Sequence, residues 1–341
     1  MSRIQNPVLK VNTIVDTENA TDGAFKILKL VRPEWDIENI TLKVFSNGIT
    51  NKMFGFHHLE NKDDTVLVRI NGNGTEIFLD RKAEVENFEI LHEHNCAPIL
   101  YCIFNNGLAY QFIKGVTLTT ESVRQETVFR LVGKEMAKMH KIPLSAADRA
   151  SEPQTFKLCR KFLKIVFGET ENSDLKLKTM MYSEVEQLEE LLNALHSPLV
   201  FTHNDLLLHN IIYNKDQEKV SFIDYEYAGV NYQAADIGNH FCEFAGVEEV
   251  DYSLYPDRDF QLKWLRNYLA CFRDVALTDV PDNDVERLYK QANKFALASH
   301  LFWSIWALVQ AKYSKIDFDY KGYSKLRMDE YKRRKQEFLS L

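Results

Sequence analysis

The chain has 341 residues and a formal charge of −7, from 49 Asp plus Glu against 42 Lys plus Arg. At roughly 150 residues per domain, that length suggests about two units or one large two-lobed enzyme. A content of 45% hydrophobic and 12% aromatic residues excludes disorder for most of the chain, and the mild acidity argues against a nucleic-acid partner. Cys96, Cys102, Cys159, Cys242 and Cys271 are scattered, with no CxxC pair, which fits a reduced, cytoplasmic setting.

Residues 1–39, beginning MSRIQNPVLKVNTIVDTENATDG, lack the apolar core of a secretion signal and read as an N-terminal extension. From Ile40 to Gly115 short β-rich runs dominate. TLKVFSNGITNKMFGFHHLE reads as two strands joined at Asn47-Gly48, and the β-branched TVLVRI as a third. Phe78 to His94 takes helical spacing, with Val85, Phe88 and Leu91 on one stripe. ILYCIF and LAYQFI follow as two more strands, so an antiparallel sheet with one helix is expected over 40–115. From 116 to 341 the pattern is mainly helical. Phe129, Val132, Met136 and Met139 share one face of a core helix, while 145–182 reads as a charged insertion with a short helix near Phe156 to Phe167. LVFTHND, NIIYN and VSFIDYEY read as strands bracketing loops, and the chain is helical from Gln233 almost to its end. The apolar stretch Phe295–Ala311 is broken by Ser299, His300, Ser304 and Gln310. It falls short of the ~20 apolar residues that a bilayer span needs, so a buried helix and no membrane insertion are expected.

The informative stretch is HNDLLLHN, residues 203–210, followed fourteen residues later by Asp224-Tyr225-Glu226. Phosphoryl transfer from a nucleotide needs a carboxylate to orient the attacking hydroxyl and oxygen ligands that hold magnesium against the phosphates. Asp205 suits the first task, and Asn210 with Asp224 the second. The order H-x-D, four residues, N, then an Asp at a strand end matches the kinase pattern. In the small lobe, Arg69 of VLVRI stands where the phosphate-contacting lysine of a kinase would be, and Glu84 in the next helix is its partner. Arg for Lys is not neutral, since a guanidinium is permanently charged and bidentate. The turn Ser46-Asn47-Gly48-Ile49-Thr50-Asn51-Lys52 has one glycine and could bind phosphate oxygens through backbone N–H groups and the side chains of Ser46, Thr50 and Asn51; a plain hairpin turn is the alternative. Gln111-Phe112-Ile113, after the fifth strand, would offer backbone groups to adenine.

HNDLLLHNIIYN, FIDYEYAGVNYQAADIGNHFCEFAG and HLFWSIWALVQAKYS resemble the choline/ethanolamine kinase family, whose relatives include the aminoglycoside phosphotransferases. The correspondence runs from about residue 40 to 325, and VDYSLYP, ASH and HNDLL are similar to the ethanolamine branch. The resemblance implies an α+β, two-lobed protein-kinase-like fold, with an antiparallel sheet lobe and a mainly helical lobe. It also implies ATP- and Mg2+-dependent phosphorylation of ethanolamine to phosphoethanolamine, the first step toward phosphatidylethanolamine. Choline kinase is the alternative within the family, and a non-catalytic binding module of the same fold is the alternative from another class. By the same carry-over Tyr227, Glu243, Trp303, Trp306 and Tyr323 line the amine pocket, although a Trp pair three residues apart on an apolar helix is by default core packing. Glu243 matters most for ethanolamine, because a primary ammonium carries N–H donors that need acceptors and a quaternary one carries none. Asp236 is expected to brace the catalytic loop and His203 to shape it, with no chemistry assigned to His209 or His240. Leu207 and Phe244 depart from the glutamine and tryptophan of choline kinases. A homodimer is left open.

Overall fold

The computed structural model describes residues 8–16, 18–45, 51–72, 79–168, 175–247, 249–314 and 316–341. They fall into two compact units, Met1–Gly115 and Val116–Leu341.

The first unit runs β1 (Leu9–Val11), α1 (Ala20–Val31), β2 (Ile40–Phe45), β3 (Asn51–His58), β4 (Asn61–Asn71), α2 (Arg81–Glu93), β5 (Leu100–Phe104) and β6 (Gly107–Gln111). The spatial order is β1-β5-β6-β4-β3-β2. The five expected strands pair antiparallel, but β1 adds to β5 in parallel, with Leu9 opposite Cys102. The sheet is therefore six-stranded and mixed. Residues read as an extension also supply α1, whose Ala20, Ala24, Ile27 and Leu28 pack on Phe54, Phe56, Val66, Val68 and Ile70. A three-residue strand shows too little alternation to be recognised, and its pairing becomes visible only when β5 lies beside it. In α2 the side chain of Asp80 accepts the backbone N–H groups of Lys82 and Ala83, a cap that begins the helix at the residue after it.

The second unit runs β7 (Val116–Thr117), α3 (Glu126–His140), α4 (Ala146–Ala150), α5 (Gln154–Phe167), α6 (Leu175–Asn193), β8 (Leu199–Thr202), β9 (Ile211–Asn214), β10 (Lys219–Phe222), β11 (Gly229–Tyr232), α7 (Gln233–Cys242), α8 (Arg258–Arg273), α9 (Asp282–Tyr313) and α10 (Tyr320–Leu339). Its strands form two small sheets, β10-β9-β7 and β11-β8. Within the stretch expected to be an insertion, the short helix expected near Phe156 to Phe167 is present as α5 and belongs to the core. Phe156, Cys159, Phe162, Leu163 and Phe167 of α5 are buried, and the Phe162 ring lies 5.7 Å from that of Phe302 on α9. Lys157 and Lys164 occupy the exposed face, so the charged composition conceals an amphipathic period. Each large apolar side chain buried there contributes about 1.5–3 kcal/mol.

The long apolar stretch is the buried part of α9. A Cβ at Gly238 of α7 would lie 2.5 Å from the carbonyl oxygen of Ala292, so α7 and α9 approach as closely as they do because that residue has no side chain. Among the described residues, no helix is long and apolar enough to cross a membrane.

Candidate active site

The loop from β8 to β9 carries His203, Asp205 and Asn210, and it is fastened from below. Asp236, one turn into α7, accepts the backbone N–H of His203 at 3.0 Å and of Asn204 at 2.8 Å. The same carboxylate lies 3.0 Å from His140 Nε2, while His140 Nδ1 faces Tyr268 OH at 2.7 Å. Asn204 takes a left-handed backbone, φ 65°. Its side chain holds that conformation by donating to the Tyr227 carbonyl at 2.9 Å and accepting from Thr202 Oγ1 at 2.9 Å and Asn231 Nδ2 at 2.7 Å. His203 is buried, and burial pushes its pKa down. One neutral tautomer serves both of its contacts: Nε2–H donates to the Ile223 carbonyl at 2.9 Å, and Nδ1 accepts the Asp205 backbone N–H at 3.3 Å. Asp236 and His203 thus stand where bracing and shaping roles require them. His240 Nδ1 faces the Leu206 carbonyl at 3.2 Å, and His209 is exposed.

Asn210 Nδ2 donates to the Asp205 carbonyl at 2.9 Å, which leaves its side-chain oxygen as the acceptor end. The backbone N–H of Ile223 donates to the Asn210 carbonyl at 3.0 Å, so the loop is tied to the chain leading into Asp224, itself in a left-handed conformation with φ 66°. Asp205 is 8% exposed. Burial first, then the charges of Asp224, Glu243 and Glu226, push its pKa well above the ordinary carboxylate range, with Arg327 acting the other way. Asp205, Asp224 and the Asn210 side-chain oxygen are hard oxygen donors of the kind a divalent cation takes; among the described residues no three acidic, His or Cys side chains cluster in a metal-binding arrangement.

The aromatic residues assemble on the same unit. Trp303 and Trp306 of α9 meet edge to face with centroids 5.3 Å apart, and Tyr227 stands 5.6 Å from Trp303. Trp306 Nε1 donates to Tyr227 OH at 2.7 Å and Trp303 Nε1 to Asn239 Oδ1 at 2.8 Å. Tyr320, 6.0 Å from Trp306, and Phe318, 5.9 Å from Tyr323, extend the wall; neither was singled out from the sequence, although both lie in a run of aromatics just after α9. Glu243 follows α7 and is buried, with its Oε1 accepting from Arg327 Nη1 at 3.1 Å. Arg327 was also missed. Beside this wall, Asn204, Tyr227, Asn231, Asn239 and Ser299 line a cavity of about 30 Å³.

The first unit holds the other predicted group. Arg69 on β4 and Glu84 on α2 are 4% and 3% exposed and form a direct ion pair. A second guanidinium, Arg81, donates from Nη1 to Glu84 Oε2 at 2.8 Å, and its Nη2 donates to Asn51 Oδ1 at 3.2 Å. Burial alone would raise the Glu84 pKa, but the two arginines outweigh it and hold the carboxyl low. Of the hinge triplet, Gln111 N–H already donates to Ile99 O and Phe112 N–H to Thr65 O. Ile113 therefore carries the remaining N–H of the three. Ser46, Asn47, Gly48 and Thr50 lie outside the described residues.

The sequence matches the family model for choline/ethanolamine kinase over residues 42–332. It is 45% identical to ethanolamine kinase 1 of Mus musculus, across 96% of this chain and 94% of that protein. It is 47% identical to ethanolamine kinase 2 of Homo sapiens, across 93% of this chain and 82% of that one. An ethanolamine kinase structure from Plasmodium vivax superposes with a TM-score of 0.80 at 24% identity, covering 93% of this chain and 89% of that one, a likeness of fold. With a kinase-type loop on a two-unit α+β body and similarity over nearly its whole length, the chain belongs to the choline/ethanolamine kinase family.

Proposed function

We propose that the protein is an ethanolamine kinase, transferring the terminal phosphoryl group of ATP to the hydroxyl of ethanolamine. The observation that carries this reading is a buried carboxylate, Glu243, placed with Tyr227, Trp303, Trp306 and Tyr323 on the unit that also holds Asp205. Aromatic faces attract any ammonium by about 0.5–2 kcal/mol each, whereas an acceptor oxygen distinguishes a primary ammonium from a quaternary one. The names of the relatives agree with that chemistry.

In this reading Asp205 orients the substrate hydroxyl and takes up its proton. Asn210 and Asp224 would hold Mg2+, which would neutralise charge on the transferring phosphates. Arg69, kept in place by Glu84, contacts phosphate oxygens as a fixed bidentate donor. Catalysis is then positioning and charge stabilisation. In the route to phosphatidylethanolamine this would be the first step.

The test is ATP-dependent formation of phosphoethanolamine against phosphocholine at equal amine concentrations. Preferential phosphoethanolamine is expected, and choline turnover equal to or above it refutes the assignment. The reading as a binding module without catalysis has no observation in its favour, since Asp205, Asn210 and Asp224 are all present.

A further inference from the structure

Arg327 of α10 is 2% exposed, and Glu243 is 4% exposed. Its Nη1 donates to Glu243 Oε1 at 3.1 Å and to Tyr323 OH at 3.4 Å. Nη2 donates to Ser299 Oγ at 3.0 Å. Ser299 Oγ in turn donates at 2.8 Å to Asn239 Oδ1, the oxygen that also accepts Trp303 Nε1. One guanidinium thus reaches Glu243 and Tyr323 directly and Trp303 through two intermediaries. For stability alone this is a poor use of a buried position, because an apolar residue of similar volume would avoid desolvating a charge. A planar fork with donors fixed in direction is, however, a good device for fixing several partners at once.

We propose that Arg327 is a positioning residue for the amine: it pins Glu243 by Oε1, so that Oε2 is presented at a fixed place to an ammonium N–H. The idea rests on the ethanolamine kinase reading and deepens it. It also changes what Glu243 does. Paired with a guanidinium, the carboxylate offers little net charge, and charge alone could not separate two amines that each carry +1. A fixed acceptor oxygen can, because a primary ammonium has N–H groups to satisfy and a quaternary one has none. Discrimination then comes from hydrogen-bond geometry, with the aromatic faces supplying the attraction common to both amines.

The experiment is a double-mutant cycle with Arg327→Met, Glu243→Gln and the double variant, plus Arg327→Lys, assayed with ethanolamine and with choline at saturating Mg-ATP. Arg327→Met is expected to raise the ethanolamine KM by about ten- to a hundredfold, the range for a buried donor that loses its acceptor. Because Arg327 also contacts Tyr323 and acts on the Asp205 carboxyl, kcat and the choline KM should change as well, but the choline KM by at least about fivefold less than the ethanolamine KM. In the Glu243→Gln background the substitution should shift the ethanolamine-to-choline KM ratio by less than about twofold. Arg327→Lys should recover part of the loss. Equal KM increases for both amines, or effects that multiply fully with those of Glu243→Gln, overturn the proposal. If Arg327→Met fails to fold, the double variant and Arg327→Lys decide, the double variant having no buried carboxylate left unpaired. A wild-type protein that does not phosphorylate ethanolamine defeats the function reading; an active wild type without coupling defeats this inference alone.

Discussion

Replacing Asp236 by alanine tests how the catalytic loop is held. The carboxylate is 1% exposed and receives three N–H groups, from His203, Asn204 and His140, at 2.8–3.0 Å. Burial would raise its pKa, yet His140 and His203 outweigh that and hold it below the ordinary value. Each hydrogen bond to a charged group is worth about 1.5–3 kcal/mol, but three sharing one carboxylate are not additive. Removing one partner of a buried charged cluster costs about 3–5 kcal/mol, and that is the expected loss for Asp236→Ala. In a unit the size of Val116–Leu341 it corresponds to roughly 6–20 °C in Tm. Asn204, released from its left-handed turn, should also displace Asp205 beside it, so kcat falls more than the affinity for ATP. Urea unfolding followed by circular dichroism, with steady-state kinetics on the same preparations, measures both. The pH dependence has a definite sign: a depressed carboxylate contributes stability above its unfolded pKa and loses it as pH falls through the folded value. The gap between wild type and Asp236→Asn should therefore narrow below about pH 4. A loss under about 1 kcal/mol for the alanine variant, or a gap indifferent to acid, would refute the bracing argument.

Three further outcomes are expected. Asp205→Asn should abolish phosphoryl transfer while leaving ATP binding in place; because the buried anion is opposed by Asp224, Glu243 and Glu226, the variant should equal or exceed wild-type stability, by about 0–2 kcal/mol in magnesium-free buffer. Full activity would remove Asp205 from its role, and marked destabilisation would refute the electrostatic account. Trp306→Leu should raise the ethanolamine KM about two- to thirtyfold, the loss of one cation–π face, with the ATP KM unchanged; an unaltered amine KM would take Trp306 out of the pocket. Glu84→Gln removes the carboxylate that both Arg69 and Arg81 contact. It should lower stability by about 3–5 kcal/mol and raise the ATP KM, and calorimetry beside a nucleotide titration would expose a neutral result.

What the chain discloses by itself is what depends on near neighbours. Asp205, Asn210 and Asp224 lie on loops that close within a few residues of their strands, so their spacing is already a geometric statement, and the kinase pattern could be read from it. The β-branched VLVRI run likewise marks a central strand, and the period of Phe295–Ala311 marks a buried helix. Other features have no local signature. The strand Leu9–Val11 is too short to show alternation and exists only because β5 offers it an edge. The helix near Phe156 to Phe167 is legible in the sequence, but that it belongs to the core emerges only when α9 covers its apolar face. Arg327 and Glu243 are separated by 84 residues, and nothing near either one says that they are paired. Tertiary structure decides such a pairing because a buried charge is tolerable only where a partner arrives, and α7, α9 and α10 must pack before Glu243, Ser299 and Arg327 meet. The sequence by itself determined the chemistry of phosphoryl transfer; only the packing of those three helices decided how the Glu243 carboxylate is held.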